Sequence, residues 1–321
     1  MKIFIDYELD NPRKASTGKG KFLSLLIPEL GKLGVESSTY PKGCDVHLGI
    51  SWFNTDTDLP KVLRIDGLSF DKAPAAISHS MKKAKKSVKI AGAIIWQSNF
   101  CKKILSQLFD VSGKREKVIF NGAQCDIECT TLYNVRYKKN VVLSAHWYKN
   151  GHERTNKRLK ETIDIIYKYI KQREDVRFII LGETNYKSNN LQIMMPGHLT
   201  NNVMFANFGI ANCMLYLAYY DWCPNSVVEA LCVGVPVICS NNSGIAEIVG
   251  TNGGTILDLD KELELKDLYL YKKHPPPVDH EKVFKALDYY CENKIRINKP
   301  ELHIENIAKQ YKEFLFGRKN T

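Results

Sequence analysis

The sequence predicts an α/β protein of two domains, each an open parallel sheet flanked by helices. Short apolar strands alternate with helix-periodic segments along the chain, the rhythm of repeated βαβ units. The length of 321 residues is too great for one typical domain and suits two. A hydrophobic share of 44% is enough for two sizeable cores.

In chain order, residues 2–6 (KIFID) read as a first strand, followed by a polar loop through Gly18-Lys19-Gly20. Phe22, Leu25, Leu26, Leu30 and Leu33 then recur at helical spacing and end at Gly34. A glycine loop feeding a helix can hold phosphate on free backbone N–H groups, although an ordinary loop–helix junction has the same composition. The spacing fits neither a Walker A loop nor the dinucleotide fingerprint. Residues 46–51 and 62–66 read as buried strands, the second ending in Arg64-Ile-Asp66-Gly67 at a strand's carboxyl end, where chemistry is favoured in such sheets. Asp56-Thr57-Asp58 lies between them beside Pro60 and reads as solvated loop. A lysine-rich helix is expected over 75–86, a strand over 93–97, a helix over 99–109, and a short strand and turn closing at Asn121-Gly122.

Residues 125–140 are polar and irregular and mark the linker, so the domains are expected at 1–135 and 136–300. Strands follow at 141–145, 176–182, 192–197, 213–218, 237–239 and 253–257. A final helix is expected over 304–316, within the last segment 301–321.

The stretch 221–250, DWCPNSVVEALCVGVPVICSNNSGIAEIVG, organises the second half. Asp221 follows a strand, and Glu229 lies eight positions on. Gly234-Val-Pro236 interrupts the chain before the next strand, and Gly244 opens a loop carrying Glu247. Each residue has a structural explanation. Ser226-Val-Val-Glu229 is also a literal capping box, and Asp221 is also an ordinary loop acid. Capping, however, needs no second acid upstream and no glycine loop after the next strand.

The joint pattern, acid-x7-Glu followed by Ala-Leu, Gly-x-Pro-Val-Ile and Gly-x-x-Glu-Ile-Val, resembles the donor-site signature of retaining glycosyltransferases. It is most similar to family 4 (glycosyltransferases group 1) of the GT-B fold, which implies two Rossmann-like domains with parallel sheets facing a central cleft and a final segment, 301–321, packed back on the first domain. That resemblance implies a metal-independent transfer of sugar from a nucleotide-sugar such as a UDP- or GDP-sugar. The acceptor would be a hydroxyl of a glycan, lipid-linked or protein-linked molecule. It assigns Asp221 to sugar hydroxyls and Glu229 to the ribose. Lys157, with the helix start at Asn225-Ser226, is assigned to the diphosphate, and the Gly244 loop belongs to the same donor site. Gly197-His198 lies where relatives cradle the base, and Gly18 and Gly20 match their glycine loop. Asp66 stands where many relatives carry a histidine, to orient or deprotonate the acceptor, or simply to cap the Gly67 turn. The usual diphosphate arginine is absent, with His146-Trp147-Tyr148 in its place and Lys149 or Arg154 as substitutes. In the GT-A fold a D-x-D triplet like Asp56–Asp58 would hold a metal.

Composition narrows the partners. Residues 1–140 hold 23 Lys and Arg against 14 Asp and Glu, a net +9, whereas residues 141–321 carry +2. Lys82, Lys83, Lys85, Lys86 and Lys89 are the densest cluster, suited to an acidic acceptor or an anionic membrane surface, or simply a solvated helix face. Nucleic acid is the disfavoured partner. No apolar run approaches 18 residues, the opening MKIFIDYELD does not read as a leader, and nine cysteines lack zinc-site spacing. The expectation is a cytoplasmic protein, peripheral at a membrane at most.

Overall fold

The computed structural model describes residues 1–67, 79–124, 137–149, 152–270 and 275–317. They fall into two compact units, one of residues 1–123, 264–269 and 300–321, the other of residues 124–263 and 270–299. The expected boundary at 135–136 falls among residues outside the described set.

The first unit is a six-stranded sheet of β1 (Lys2–Asp6), β2 (Glu36–Ser38), β3 (Val46–Ile50), β4 (Lys61–Ile65), β5 (Ala93–Trp96) and β6 (Arg115–Val118). The order is β2-β1-β3-β4-β5-β6 and every pairing is parallel. The chain leaves β1 in one direction for β2 and in the other for β3, so the sheet switches at the β1/β3 boundary. Its core joins Ile3, Ile5, Leu48 and Ile95 to Phe22, Leu26 and Leu30 of the helix Gly18–Lys32. Tyr311 of the helix Ile304–Phe316 packs into the same core, 6.0 Å from Phe22 between ring centroids.

The second unit repeats the plan with β7 (Lys139–Ser144), β10 (Val176–Leu181), β11 (Ile193–Gly197), β12 (Cys213–Tyr216), β13 (Val237–Ser240) and β14 (Gly254–Leu257). A two-residue hairpin of β8 (Tyr148–Lys149) and β9 (His152–Glu153) sits in the loop after β7. The order β11-β10-β7-β12-β13-β14, again wholly parallel, places the switch between β7 and β12. Ligands in open α/β sheets bind outside the carboxyl ends of the strands at that switch.

Several elements differ from the sequence expectation. The short strand β2, the β8–β9 hairpin and the helices Asn201–Ile210 and Leu265–Leu270 are additions. Each is too short or too evenly apolar to show a period. The lysine-rich helix is described as His79–Ile90, so part of its expected span lies outside the described residues. The helix over 99–109 stops at Leu105. Among the described residues, no helix is long and apolar enough to cross a membrane.

Candidate active site

At the β7/β12 switch, the chain brings together three polar side chains in a largely apolar surround. Lys157 ends the 3-10 turn Thr155–Lys157 and is 5% exposed. Its Nζ donates to the Tyr216 hydroxyl at 2.7 Å and to Asp221 Oδ2. The Tyr216 hydroxyl in turn donates to Asp221 Oδ2 at 2.8 Å. Tyr216 is the last residue of β12, and Asp221 lies in the loop that follows.

The site's electrostatics follow from burial and pairing. Burial pushes the Asp221 carboxyl up, but the Lys157 ammonium outweighs it, and the group stays below its ordinary range. Arg154 adds positive charge at the same carboxylate. Burial pulls the Lys157 ammonium down, with Asp221 opposing and Arg154 adding to the shift. Burial also raises the Tyr216 phenol well above its ordinary value, so it remains a donor. Arg154 therefore acts on all three groups, in the region where a diphosphate arginine was missing. Trp147 occupies the expected place of that arginine. It is buried and donates its Nε1–H to Leu181 O at 2.7 Å. Gly182, at φ +107°, passes so close that a Cβ would meet Ala145 O at 2.4 Å.

The Asp221 loop is fastened to the next one. The Asp221 amide donates to Ser243 Oγ at 3.1 Å, and Gly244 N–H donates to Asp221 O at 3.0 Å. Ser243 has φ +68° and Arg158, next to Lys157, φ +53°. With Ser51 of the first unit, they are the non-glycine residues of positive φ among the described ones, and all three sit in polar clusters at carboxyl strand ends. Such strain persists where surrounding contacts over-determine it, commonly at functional sites. Here the contacts are visible: Arg158 makes a bidentate pair with Asp260 at 2.9 and 2.7 Å, both residues buried.

The capping-box explanation of Glu229 is overturned. The helix Asn225–Cys232 has Pro224 as N-cap and no side-chain cap hydrogen bond, which puts Glu229 a full turn inside it. Ser226 Oγ donates instead to Ser144 O at 2.7 Å, tying the helix start to the end of β7. Asn225, Ser226 and Glu229 are half-buried, and Gly244 is buried. Gly197 ends β11 at φ +77°, its carbonyl accepting from Gly182 N–H at 2.9 Å, and His198 beside it is exposed.

Three expected site residues, Gly18, Gly20 and Asp66, lie in the first unit, two of them with other roles. Gly20 is a packing glycine, since a Cβ there would meet Lys14 O at 2.4 Å and Ala15 O at 2.5 Å. Its N–H already donates to Thr17 Oγ1 at 3.2 Å, so it is not a free phosphate donor. Gly18 is the first residue of the same helix. Asp66, 3% exposed, is engaged on both oxygens. Oδ1 accepts from Arg64, while Oδ2 lies 3.4 Å from Ser51 Oγ and 3.8 Å from Lys19 Nζ. It is therefore a buried counter-ion rather than a free base. Asp56 and Asp58 are exposed, and Asp56 pairs with Lys61 at 3.8 Å. Sequence reasoning missed Tyr216, Ser243, Ser51 and Arg158. The one signal for any of them was a polar group at a strand end.

With this geometry in hand, residues 149–267 match the family model for Glycosyl transferases group 1. The chain carries a group 1 glycosyltransferase domain on the GT-B fold. Lys157, Tyr216 and Asp221 all lie inside the matched span. The structure is similar to sucrose-phosphate synthase from Thermosynechococcus elongatus, at 11% identity and a TM-score of 0.64 over 98% of this chain and 95% of that one. Anabaena HepE, solved with UDP-glucose, aligns at 13% identity and 0.58, covering 98% of each chain. WaaG, a glycosyltransferase involved in lipopolysaccharide biosynthesis, aligns at 12% and 0.58 over 99% and 100%. At such identities these neighbours speak for the fold of this glycosyltransferase. No curated protein matches it in sequence.

Proposed function

We propose that this glycosyltransferase is a retaining, metal-independent enzyme that moves a sugar from a UDP- or GDP-sugar to a hydroxyl of a glycan, lipid-linked or protein-linked acceptor. The observation that carries this reading is the buried Lys157–Tyr216–Asp221 cluster at the β7/β12 switch, beside the start of the helix Asn225–Cys232. As the glycosidic bond breaks, its electron pair leaves on the diphosphate, whose negative charge grows. An ammonium has three N–H donors. Two of those on Lys157 are used by Tyr216 and Asp221, and the third meets a phosphate oxygen. Arg154 supplies the second cation, and the helix start adds its dipole. Asp221, kept ionised by Lys157, accepts from sugar hydroxyls, and Glu229 accepts from the ribose. Retention rests on the family pattern alone. HepE was solved with UDP-glucose, which supports a uridine donor here. The enzyme works in the cytoplasm, its basic half resting on an acidic acceptor or membrane.

A thermal-shift panel of nucleotide sugars tests the donor. A ligand at 100 times its Kd stabilises by roughly 2.7 kcal/mol. Binding and transfer are expected to persist in EDTA. Activity abolished by EDTA and restored by Mn²⁺ or Mg²⁺ overturns the metal-independent mechanism, and release of free sugar without an acceptor points to a hydrolase.

A further inference from the structure

The first unit holds a second polar cluster, at the carboxyl ends of β3 and β4 next to the β1/β3 switch. Its Asp66 carboxylate is shared between Arg64 and Lys19, while Asp6 at the end of β1 is held by His47 at 3.2 Å and by the N–H groups of Asn54 and Thr55. Arg64 is further held by Asn121 Oδ1 and stacks over Phe22 at 4.4 Å, so it is locked in place. Lys19 is different. Its side chain keeps about a third of its surface open, and its Nζ reaches Ser51 Oγ as well as Asp66. Ser51 itself is buried at φ +67°, which aims its hydroxyl at both groups.

Trp52, the next residue, is flanked by two ammonium groups. Lys19 Nζ lies 5.3 Å and Lys83 Nζ 5.7 Å from its ring. Lys83 is half-buried, whereas Lys82, Lys85, Lys86 and Lys89 of the same helix are exposed. Ser87 of that helix accepts the Phe53 N–H at 2.8 Å, which pins the helix to the Trp52 loop. Among the described residues, Lys83 has no carboxylate partner. Arg64 and Lys19 thus share the Asp66 carboxylate, and Lys83 adds a further positive charge beside the Trp52 ring. Lys19 also lies in the first turn of its helix, where a cation opposes the dipole. Burial pulls its ammonium down, and Asp66 only partly opposes this. Like charges held together at a half-open face are stabilised by an added anion.

We infer that Lys19 and Lys83, set around Trp52, form the acceptor subsite of this enzyme and take a saccharide bearing a phosphate or carboxylate group. This rests on the glycosyltransferase reading for the word acceptor, and on the geometry of the first unit for the anion. Lysine is a point charge rather than a fork, so it serves either acid. The Trp52 ring supplies the apolar surface beside a sugar.

The test uses the full chain and three probes, glucose 6-phosphate, glucuronate and glucose, at matched ionic strength. Indole emission is read out, with Trp52→Phe to show that the signal arises at this site. At least one acidic sugar is expected to bind at least about tenfold more tightly than glucose, and the tighter one names the acid. Lys19→Gln or Lys83→Gln each weaken it by about tenfold, as loss of a charge-assisted contact predicts. Lys19→Arg retains most of it, and Lys85→Gln/Lys86→Gln leaves it unchanged. If glucose binds as well as both acidic sugars, or if Lys85→Gln/Lys86→Gln costs as much as the inner lysines, the subsite is overturned. Should Lys19→Gln melt early, Lys83→Gln alone decides. UDP affinity, measured on the same samples by calorimetry, stays unchanged in the lysine variants. Wild-type protein that fails to bind any nucleotide sugar sinks the donor assignment while leaving the acidic-sugar result readable.

Discussion

Lys157 and Asp221 are 64 residues apart, and their pairing changes what a substitution at either one means. Considered in sequence alone, Asp221→Asn is an innocuous loop change. In the folded protein it leaves a buried ammonium without its counter-ion, a loss of about 3 kcal/mol. We expect the variant to melt well below wild type, and Lys157→Met/Asp221→Asn to recover part of the loss. The pH dependence follows from the depressed carboxyl. Its folded value lies below the ordinary 3.8, so its contribution is complete above about pH 4 and disappears as the pH falls through the folded value. The gap in Tm between wild type and Asp221→Asn should therefore be widest near neutrality and close on acidification below pH 4. A gap independent of pH would show that the pair is not what holds the loop. In binding, the same change should weaken UDP-sugar more than UDP.

At the scale of elements, helix starts decide which side chains serve as caps. Glu229 lies inside a helix capped by Pro224, so Glu229→Gln removes no cap. Stability should move by less than about 0.5 kcal/mol, as for other substitutions that break no packing or cap. Affinity for UDP should fall roughly tenfold, the difference between a charge-assisted and a neutral hydrogen bond. Calorimetry beside melting temperature checks this, and unchanged UDP affinity would remove Glu229 from the ribose site. Gly20 makes the opposite case. Gly20→Ala drives a Cβ into the backbone of Lys14 and Ala15, an overpacking cost of about 2 kcal/mol. A lowered denaturation midpoint with unaltered UDP affinity is expected. The reverse result would restore the glycine loop as a phosphate cradle.

Over the whole molecule, the chain returns to its beginning. The helix Ile304–Phe316 completes the core of the first unit against the helix Gly18–Lys32, with Tyr311 fully buried. Arg115 of β6 donates to Phe314 O at 2.6 Å and lies over the Phe314 ring, which anchors the helix end. Tyr311→Ala should cost about 3 kcal/mol through the cavity it leaves. Urea unfolding should show this loss, while UDP affinity should be retained if the proposed donor site in the second unit sets it. If UDP affinity falls in parallel with stability, the donor site depends on the first unit's core.

The sequence by itself determined the fold class, most strands and the final helix, because those depend on local period and on punctuation by Gly and Pro. It also singled out Asp221, Glu229 and Lys157 through the resemblance of its motifs, and of these the structure pairs Lys157 with Asp221. The capping box stood as the structural alternative for Glu229 because Ser226-x-x-Glu229 satisfies the pattern, and nothing local says that the helix begins one residue before Ser226. The tertiary structure alone decided what those residues touch. Tyr216 reads in sequence as one apolar position inside the expected strand 213–218, and it meets Lys157 only because β7 and β12 are neighbours across a switch. Ser51 and Ser243 are unremarkable in sequence, yet packing holds both at positive φ with their hydroxyls turned to charged or polar groups. Of five clustered lysines, the one half-buried beside Trp52 could be picked out only once the helix was seated on the Ser51–Phe53 loop. Charge counts record how many cations a chain has, while burial and neighbours decide which of them are left for a ligand.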